Sequence, residues 1–248
     1  MIDITPEDRI FILTGAGTSA ESGLPTFRGM NGIWRTYRVE EVASPVAWAR
    51  DPKLVLEFYS ERRRRHRTVQ SNPGHYALAR LEGQLGNRLF LCTQNVDRLH
   101  EMAGSRRVVH MHGKIFQSRC ERGCGRPPFD DDWTLENGAD IPLCTCGGKM
   151  RPHICWFGET PFEMERIFSA LEDCTIFMAI GTSGVVEPAA SFVRYARART
   201  SDVRTYYIGP EEPANRAFFN EVFLGPSGEL LPKIFEFQTP RMHAAQHG

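Results

Sequence analysis

The sequence lacks a run of apolar residues long enough for a membrane-spanning helix. It also lacks net charge, because 30 basic residues balance 30 acidic ones. A neutral chain has no overall attraction to nucleic acid or to an anionic membrane surface. The first six residues lack the basic and apolar regions of a secretory signal peptide. We therefore expect a cytoplasmic protein with no membrane contact and no direct nucleic-acid binding.

Disulfides are not expected, because the seven cysteines are an odd number and a chain of 248 residues does not need covalent stapling. Four cysteines lie in a segment, 118–152, that is rich in Gly, Pro and Asp and poor in aliphatic residues. Such a segment cannot bury a core of its own and needs another anchor. The four are Cys120, Cys124, Cys144 and Cys146.

These four cysteines form a C-x3-C pair and a C-x-C pair, separated by nineteen residues. Two close pairs on two turns can surround zinc with a tetrahedron of thiolates, which leaves no open coordination position and makes the metal structural. The alternative is a set of four unliganded thiols. The other cysteines, at 92, 155 and 174, lie in or beside apolar runs, as small buried hydrophobic residues do.

A glycine-rich turn follows the first apolar run, Ile10 to Leu13. Small residues at 15, 16, 17 and 20 let the backbone turn tightly and approach a ligand closely. Such a turn presents unpaired N–H groups at the start of a helix, where a pyrophosphate binds well. Taken alone, the pattern is equally compatible with an ordinary strand-to-helix turn.

Strands and helices alternate along most of the chain, which predicts an α/β fold with a parallel sheet covered on both faces. The predicted strands are 9–14, 89–93, 108–111, 175–181, 203–208 and 234–237. The predicted helices are 44–67, 75–85, 162–171, 189–199 and 213–223. A long segment, 29–72, precedes the second strand, and Glu40 and Glu41 do not end an apolar run. This arrangement argues against a hydride-transfer dehydrogenase.

Several further motifs accompany the glycine turn. They are Pro-Thr-Phe-Arg-Gly at 25–29, Thr-Gln-Asn-Val-Asp-Arg-Leu-His at 93–100, His-Met-His-Gly at 110–113, Arg-Pro-His-Ile-Cys-Trp-Phe-Gly-Glu at 151–159, Gly-Thr-Ser at 181–183 and Glu-Pro-Ala-Ala at 187–190. In this order and spacing, the sequence resembles the sirtuin family of NAD-dependent protein deacylases from Arg9 to Phe237.

The resemblance implies two lobes. A discontinuous Rossmann-like NAD-binding domain would comprise residues 1–28, 73–117 and 155–248. A small domain would combine a helical module, 29–72, with a zinc-binding module, 118–154. NAD and an acyl-lysine protein or peptide would meet in the cleft between the lobes, and we expect the protein to act as a monomer.

The resemblance also implies a role toward NAD for each matching residue. In the glycine turn, the residues that would hold the phosphates and shape the pocket are Gly15, Ala16, Gly17, Ser19, Ala20, Glu21 and Pro25. After the second strand, the nicotinamide end would be held by Gln94, Asn95 and Asp97. After a later strand, the residues that would face the adenosine are Gly181, Thr182 and Ser183. Phe27 and Arg28 would lie on a mobile loop over the reacting ribose.

In the implied reaction, the acyl-lysine carbonyl oxygen displaces nicotinamide from NAD, so that no protein nucleophile is needed. His112 is the implied general base, and Asn95 is a second catalytic residue. Histidine suits this role because its ordinary pKa lies near the working pH. The products would be lysine, nicotinamide and 2′-O-acyl-ADP-ribose. Cys155, Phe157 and Gly158 would line the acyl-lysine tunnel and its peptide-pairing strand.

Tyr59 and Arg62 match a Tyr-x-x-Arg pair of the sirtuin subgroup that removes succinyl, malonyl and glutaryl groups. Residues three apart share a helix face, and a guanidinium binds a carboxylate through two hydrogen bonds. The alternative is a solvated helix face, because Arg62 begins a run of four arginines. Two other functions remain open, an NAD glycohydrolase or ADP-ribosyltransferase and a non-catalytic module that binds NAD or ADP-ribose.

Overall fold

A six-stranded parallel sheet forms the centre of the computed structural model, which describes residues 2–26, 38–136, 139–200 and 202–235. Its strand order is β3-β2-β1-β7-β8-β9. The strands are β1 Ile10–Thr14, β2 Leu89–Thr93, β3 Val108–His110, β7 Ile176–Ile180, β8 Arg204–Gly209 and β9 Glu221–Leu224. The Rossmann-like α/β prediction is therefore confirmed.

Side chains of the central strand alternate between two separate cores. Phe11 and Leu13 of β1 pack into one core, and Ile10 and Ile12 pack into the other. All five residues of β1 are buried, as expected for a parallel strand that is covered on both faces. The layer on the Phe11 side contains α7 Met164–Glu172 and α8 Phe192–Arg199, and the layer on the Ile10 side contains α5 Pro73–Leu85 and α9 Ser227–Ile234.

The predicted helix 44–67 is two helices, α3 Pro45–Arg50 and α4 Pro52–His66. The break falls at Asp51, whose side chain accepts a hydrogen bond from the Leu54 amide and so caps α4. Pro52 follows at the first helical position, where its missing N–H costs nothing. The remaining short helices are α1 Ala16–Ala20, α2 Val39–Val42 and α6 Leu99–Met102.

A three-stranded antiparallel sheet, ordered β5-β4-β6, packs beside α3 and α4. Its strands are β4 Gly113–Cys120, β5 Phe129–Asp130 and β6 Met150–Ile154. Arg63 of α4 is buried and donates to the carbonyl of Ile115 (2.7 Å) and to the Ser118 hydroxyl (3.2 Å) on β4. The helical segment and the cysteine-rich segment therefore share one core.

Two predictions near the C-terminus are wrong. The predicted helix 213–223 contains only a 3₁₀ turn, Arg216–Phe218, followed by β9, where Val222 and Phe223 contact opposite cores as alternate strand residues do. The predicted strand 234–237 begins inside α9, and residues 236 and 237 lie outside the described ranges. Among the described residues, no helix combines the length and the apolar character needed to cross a bilayer.

Candidate functional site

The strand order reverses between β1 and β7, and a crevice at such a point is where open parallel sheets bind ligands. The glycine turn after β1 meets the end of β7 there. The Gly15 amide donates to the Ile180 carbonyl (2.9 Å), and the Gly17 amide donates to the Gly181 carbonyl (2.8 Å). The expectation that the turn's N–H groups are unpaired is therefore wrong at positions 15 and 17.

Three glycines make this close contact possible. A Cβ atom on Gly15 or Gly17 would lie 2.8 Å from the Gly181 carbonyl oxygen. Gly181 itself has φ +62°, and a Cβ there would lie 2.4 Å from the Thr18 nitrogen. No larger residue fits these positions without separating the two strand ends.

A buried hydrogen-bond network lies directly beneath the turn. The Asn95 amide group donates to the Gly15 carbonyl and to the Ser19 hydroxyl, both at 3.0 Å. The Ser19 hydroxyl donates in turn to Asp97 Oδ2 (2.9 Å), and the Leu99 amide donates to Asp97 Oδ1 (3.0 Å). The structure thus brings together three of the residues predicted to bind NAD, Asn95, Ser19 and Asp97. Burial raises the pKa of Asp97.

His112 lies two residues after the end of β3, and its ring contacts Gln94, the residue before Asn95. Its Nδ1 atom is 3.1 Å from the Gln94 carbonyl oxygen. A carbonyl only accepts hydrogen bonds, so Nδ1 carries the proton and Nε2 carries the lone pair. Burial lowers the pKa of His112, which keeps the ring neutral near pH 7. The arrangement can accept a proton at Nε2.

His110 supports the loop that carries Asn95. Its Nδ1 is 3.1 Å from the Asn95 carbonyl oxygen, and its Nε2 is 2.8 Å from Glu101 Oε1. Burial alone would raise the pKa of Glu101, but the hydrogen bond to His110 brings it down to about 2. No motif marked Glu101 as a supporting residue, because only the folded chain brings it to His110.

The predicted adenosine-side residues follow β7. Thr182 accepts hydrogen bonds from the Gln94 amide at its hydroxyl (3.0 Å) and from the Tyr207 hydroxyl at its carbonyl (3.1 Å). Ser183 is exposed, and its carbonyl accepts from the Ala214 amide. Thr182, which follows β7, therefore joins the loop after β2 to strand β8.

The end of the glycine turn has a structural task that the motif did not indicate. The Glu21 carboxylate accepts from the Ser227 hydroxyl (2.9 Å) and from the Gly228 amide (3.0 Å), and so it caps α9. Ala20 is exposed and Pro25 is half-buried. Ala16 is half-buried in α1. Phe27 and Arg28 lie outside the described residues.

A second group of side chains, the Tyr59 cluster, consists of Phe58, Tyr59, Arg62 and Trp156. All four are buried, and the Arg62 guanidinium carbon lies 5.6 Å from the Phe58 ring centroid and 5.7 Å from the Tyr59 ring centroid. In contrast, the last two arginines of the run, at 64 and 65, are exposed and pair with Glu61. The solvated-face alternative is therefore wrong for Arg62.

The segment after β6 connects His112 with the helical segment that contains Ala43. The Cys155 amide donates to the His112 carbonyl (2.9 Å), and the Phe157 amide donates to the Ala43 carbonyl (3.0 Å). Phe157 is half-exposed, and Gly158 has φ +90°. Burial raises the pKa of Cys155 to about 11, so its sulfur remains a thiol.

The four predicted zinc ligands converge at the far end of the small sheet. All four sulfurs lie within 4.8 Å of one another, with Cys120 to Cys146 at 3.4 Å and Cys124 to Cys144 at 3.7 Å. A tetrahedral zinc site with bonds of about 2.3 Å places its sulfurs about 3.8 Å apart. A hydrogen bond from the Cys146 amide lowers the pKa of Cys144 to about 6, which favours the thiolate. The four residues fit a structural zinc ion.

Known proteins are similar to this chain in sequence and in fold. The Sir2 family model matches residues 15–188. An NAD-dependent protein deacylase of Caulobacter vibrioides is 47% identical over 237 residues, which are 94% of this chain and 98% of the relative. One of Escherichia coli strain K12 is 43% identical over 230 residues, which are 92% and 81% of the two chains. A solved structure of a Sir2 homologue with NAD is 38% identical, with a TM-score of 0.83 over 93% of this chain and 90% of the other.

Proposed function

The chain belongs to the Sir2 family, and from that premise we propose that it is an NAD-dependent protein-lysine deacylase that removes succinyl, malonyl and acetyl groups. The acyl group passes to ADP-ribose, which leaves free lysine, nicotinamide and 2′-O-acyl-ADP-ribose. The observation that carries the proposal is the position of His112. Its Nδ1 bonds to the carbonyl of Gln94, the residue before the buried Asn95, and its own carbonyl pairs with the segment that begins at Cys155.

NAD supplies a ribose carbon that carries a good leaving group, and we assign its binding to the crevice between β1 and β7. The donor set supports this assignment, because buried amide, hydroxyl and carboxylate groups of Asn95, Ser19 and Asp97 converge under the glycine turn. Gln94, Asn95 and Asp97 would hold the nicotinamide end. The glycine turn would face the phosphates, and residues 181–183 would face the adenosine.

His112 would act as the general base toward a ribose hydroxyl. The hydrogen bond from Nδ1 to the Gln94 carbonyl fixes the ring orientation and the tautomer. A neutral ring accepts the hydroxyl proton at Nε2 without first losing a proton of its own. Asn95, held by two hydrogen bonds, would orient the reacting groups from below.

The preference for acidic acyl groups rests on Arg62 and Tyr59. A cation that is buried away from water favours a ligand that carries the opposite charge. Burial lowers the pKa of Arg62, and the neighbouring Tyr59 and Asp97 act against that shift. The terminal carboxylate of a succinyl or malonyl group would compensate the buried guanidinium, whereas an acetyl methyl group would not.

Two domains and a structural zinc ion complete the proposed architecture. Residues 1–28, 73–117 and 155–248 would form the NAD-binding domain, and 29–72 with 118–154 would form the small domain. Zinc held by the four cysteines would act structurally, since four sulfur ligands leave no coordination position for substrate.

A panel of peptides with one sequence and different acyl-lysines, incubated with and without NAD, tests the proposed reaction. Mass spectrometry should detect 2′-O-acyl-ADP-ribose in amounts equal to the deacylated peptide. ADP-ribose without an acyl group would indicate a glycohydrolase, and ADP-ribosylated peptide would indicate a transferase. Unconsumed NAD would indicate a binding module.

Arg62→Met tests the acyl preference separately. We expect desuccinylation to fall by at least about tenfold relative to deacetylation, because a charge-assisted bidentate contact contributes about 1.5–3 kcal/mol. Arg64→Met is the matched control, since Arg64 belongs to the same run but is exposed and pairs with Glu61. Equal loss of both activities in Arg62→Met would refute the assigned preference.

A further inference from the structure

The indole of Trp156 contacts Tyr59 of α4 inside the shared core. Trp156 directly follows the half-buried Cys155 and is itself 2% exposed. Its Nε1 atom lies 3.0 Å from the Tyr59 hydroxyl oxygen, across 97 residues of sequence. The two rings are tilted, with centroids 6.4 Å apart.

The direction of this hydrogen bond follows from chemistry alone. An indole N–H can only donate, so the Tyr59 oxygen is the acceptor. The phenol keeps one proton of its own, which must lie on the side of the oxygen that Trp156 does not occupy. No carbonyl or side chain among the described residues accepts that proton. Trp156 therefore leaves Tyr59 as a directed donor.

The indole is held firmly in place. The Arg151 guanidinium carbon lies 3.2 Å from the centroid of the Trp156 ring. Glu159 accepts from Arg151 (2.7 Å) and, through its other oxygen, from the Trp156 backbone amide (2.8 Å). Trp48 packs on Trp156 with ring centroids 5.7 Å apart. A ring fixed in this way cannot turn its N–H away from Tyr59 at low cost.

We propose that Trp156 is a positioning residue for acyl specificity, whose N–H directs the Tyr59 hydroxyl proton toward the carboxylate of an acidic acyl group beside Arg62. The inference rests on the proposed preference for succinyl and malonyl groups and adds a residue to it. An acetyl group offers no acceptor for that proton, so the indole N–H should matter little for acetyl-lysine.

The protonation state of Tyr59 agrees with a donor role. Burial raises the pKa of Tyr59, while the charge of Arg62 and the hydrogen bond from Trp156 act in the opposite direction. The hydroxyl therefore keeps its proton throughout the neutral range. In a variant without the indole N–H, the buried Tyr59 oxygen loses its hydrogen-bond donor. The Tyr59 hydroxyl proton can then rotate toward the position that the N–H has left.

Trp156→Phe removes the N–H and keeps an aromatic ring. We expect kcat/KM for a succinyl-lysine peptide to fall about fivefold more than kcat/KM for the matching acetyl-lysine peptide, which is the loss of one buried neutral hydrogen bond. The loss should appear in the KM for the succinyl peptide, with the KM for NAD unchanged. Trp48→Phe is the matched control. Trp48 packs in the same hydrophobic core as Trp156 and Tyr59, but its indole N–H donates to Glu121 (2.7 Å). It should leave the ratio of the two activities unchanged.

A double-mutant cycle with Tyr59→Phe separates positioning from simple packing. In the Tyr59→Phe background, Trp156→Phe should change the activity ratio by less than about twofold, since the hydroxyl it orients is absent. Incorporation of 3-benzothienylalanine at position 156 replaces only the N–H by sulfur. It should reproduce the Trp156→Phe ratio, and it provides the same test if the phenylalanine variant does not fold.

Two outcomes would overturn the inference. One is equal loss of both activities in the benzothienyl variant, and the other is an undiminished fivefold effect in the Tyr59→Phe background. If Arg62→Met shifts the activity ratio but the Trp156 variants do not, only the role of Trp156 is refuted. If Arg62→Met leaves the ratio unchanged, the proposed acyl preference fails and the role of Trp156 fails with it.

Discussion

Acidification from pH 7 to pH 5 should lower the free energy of unfolding through a buried pair of histidines, His75 and His100. Their side chains are 0% and 1% exposed, and their ring centroids lie 4.9 Å apart. His75 Nδ1 accepts from the Asn72 amide, and His100 Nε2 lies 3.0 Å from the Thr14 hydroxyl. The other two ring nitrogens are buried and have no hydrogen-bond partner among the described residues.

Burial lowers the pKa of His75 to about 4 and that of His100 to about 3, from an ordinary value of 6.5. The unfolded chain takes up a proton at each site below pH 6.5, whereas the folded chain does not until the lower pKa is reached. Each buried, neutral histidine therefore makes its full contribution to the free energy of unfolding above pH 6.5. That contribution is lost as the pH falls. One pH unit corresponds to about 1.4 kcal/mol, so each histidine contributes a loss of about 2 kcal/mol at pH 5.

Urea unfolding at pH 7 and pH 5 measures this effect, with His100→Leu as the diagnostic variant. The variant should be less stable at pH 7, because it loses the contact with Thr14. Its stability should nevertheless fall by about 2 kcal/mol less than that of the parent protein between pH 7 and pH 5. The Cε1 proton resonances of both histidines, followed by NMR, report the folded-state protonation directly.

Equal pH dependence in the parent and the variant would refute this reasoning. A His100 Cε1 resonance that titrates near pH 6.5 in the folded protein would refute it independently. In that case the ring would have access to water or to an acceptor that the packing around Thr14 and His75 does not provide.

Two further predictions concern the base and the metal. Because burial lowers the pKa of His112 below 6.5, the acid limb of the pH profile of kcat/KM should lie below pH 6.5, and a limb above that value would assign the base to another group. Cys144→Ser should abolish stoichiometric zinc binding and lower the Tm, because among the described residues only Met150 and Phe129 pack in one core with Cys120 and Cys144. Metal analysis and thermal unfolding measure both effects, and an unchanged Tm after chelation of the parent protein would contradict the structural role.

Strands that cross the middle of the sheet could be predicted from sequence, because burial on both faces requires a continuous apolar run such as Ile10 to Leu13. The edge strand β9 could not, since its apolar run is only three residues long, Val222 to Leu224, and its place is set by pairing with β8. Helix α9 contains Pro232 in its interior, which disfavours a helical prediction for that stretch. Packing of α9 against α5 overrides this local preference.

The candidate site likewise combines residues that sequence motifs predict with contacts that only the folded chain creates. Short motifs predicted roles for His112 and Asn95, and both residues follow a strand at the carboxyl edge of the sheet. The burial of Arg62 could not be read from the arginine run, since adjacent residues of one helix differ in exposure only through tertiary contacts. The bond between Trp156 and Tyr59 spans 97 residues, and no local pattern signals such a contact.

Two hydrogen bonds connect the strand that ends at Cys120 with the helix that carries Tyr59 and Arg62. Arg63, next to Arg62, donates to the Ile115 carbonyl and to the Ser118 hydroxyl on that strand. A zinc ion held by the four cysteines would thus support the proposed recognition of the acyl group from a distance. Oxidation of the four cysteines should first reduce the difference in activity between acyl groups and only later slow turnover. His112 and Asn95 are supported by the large parallel sheet instead.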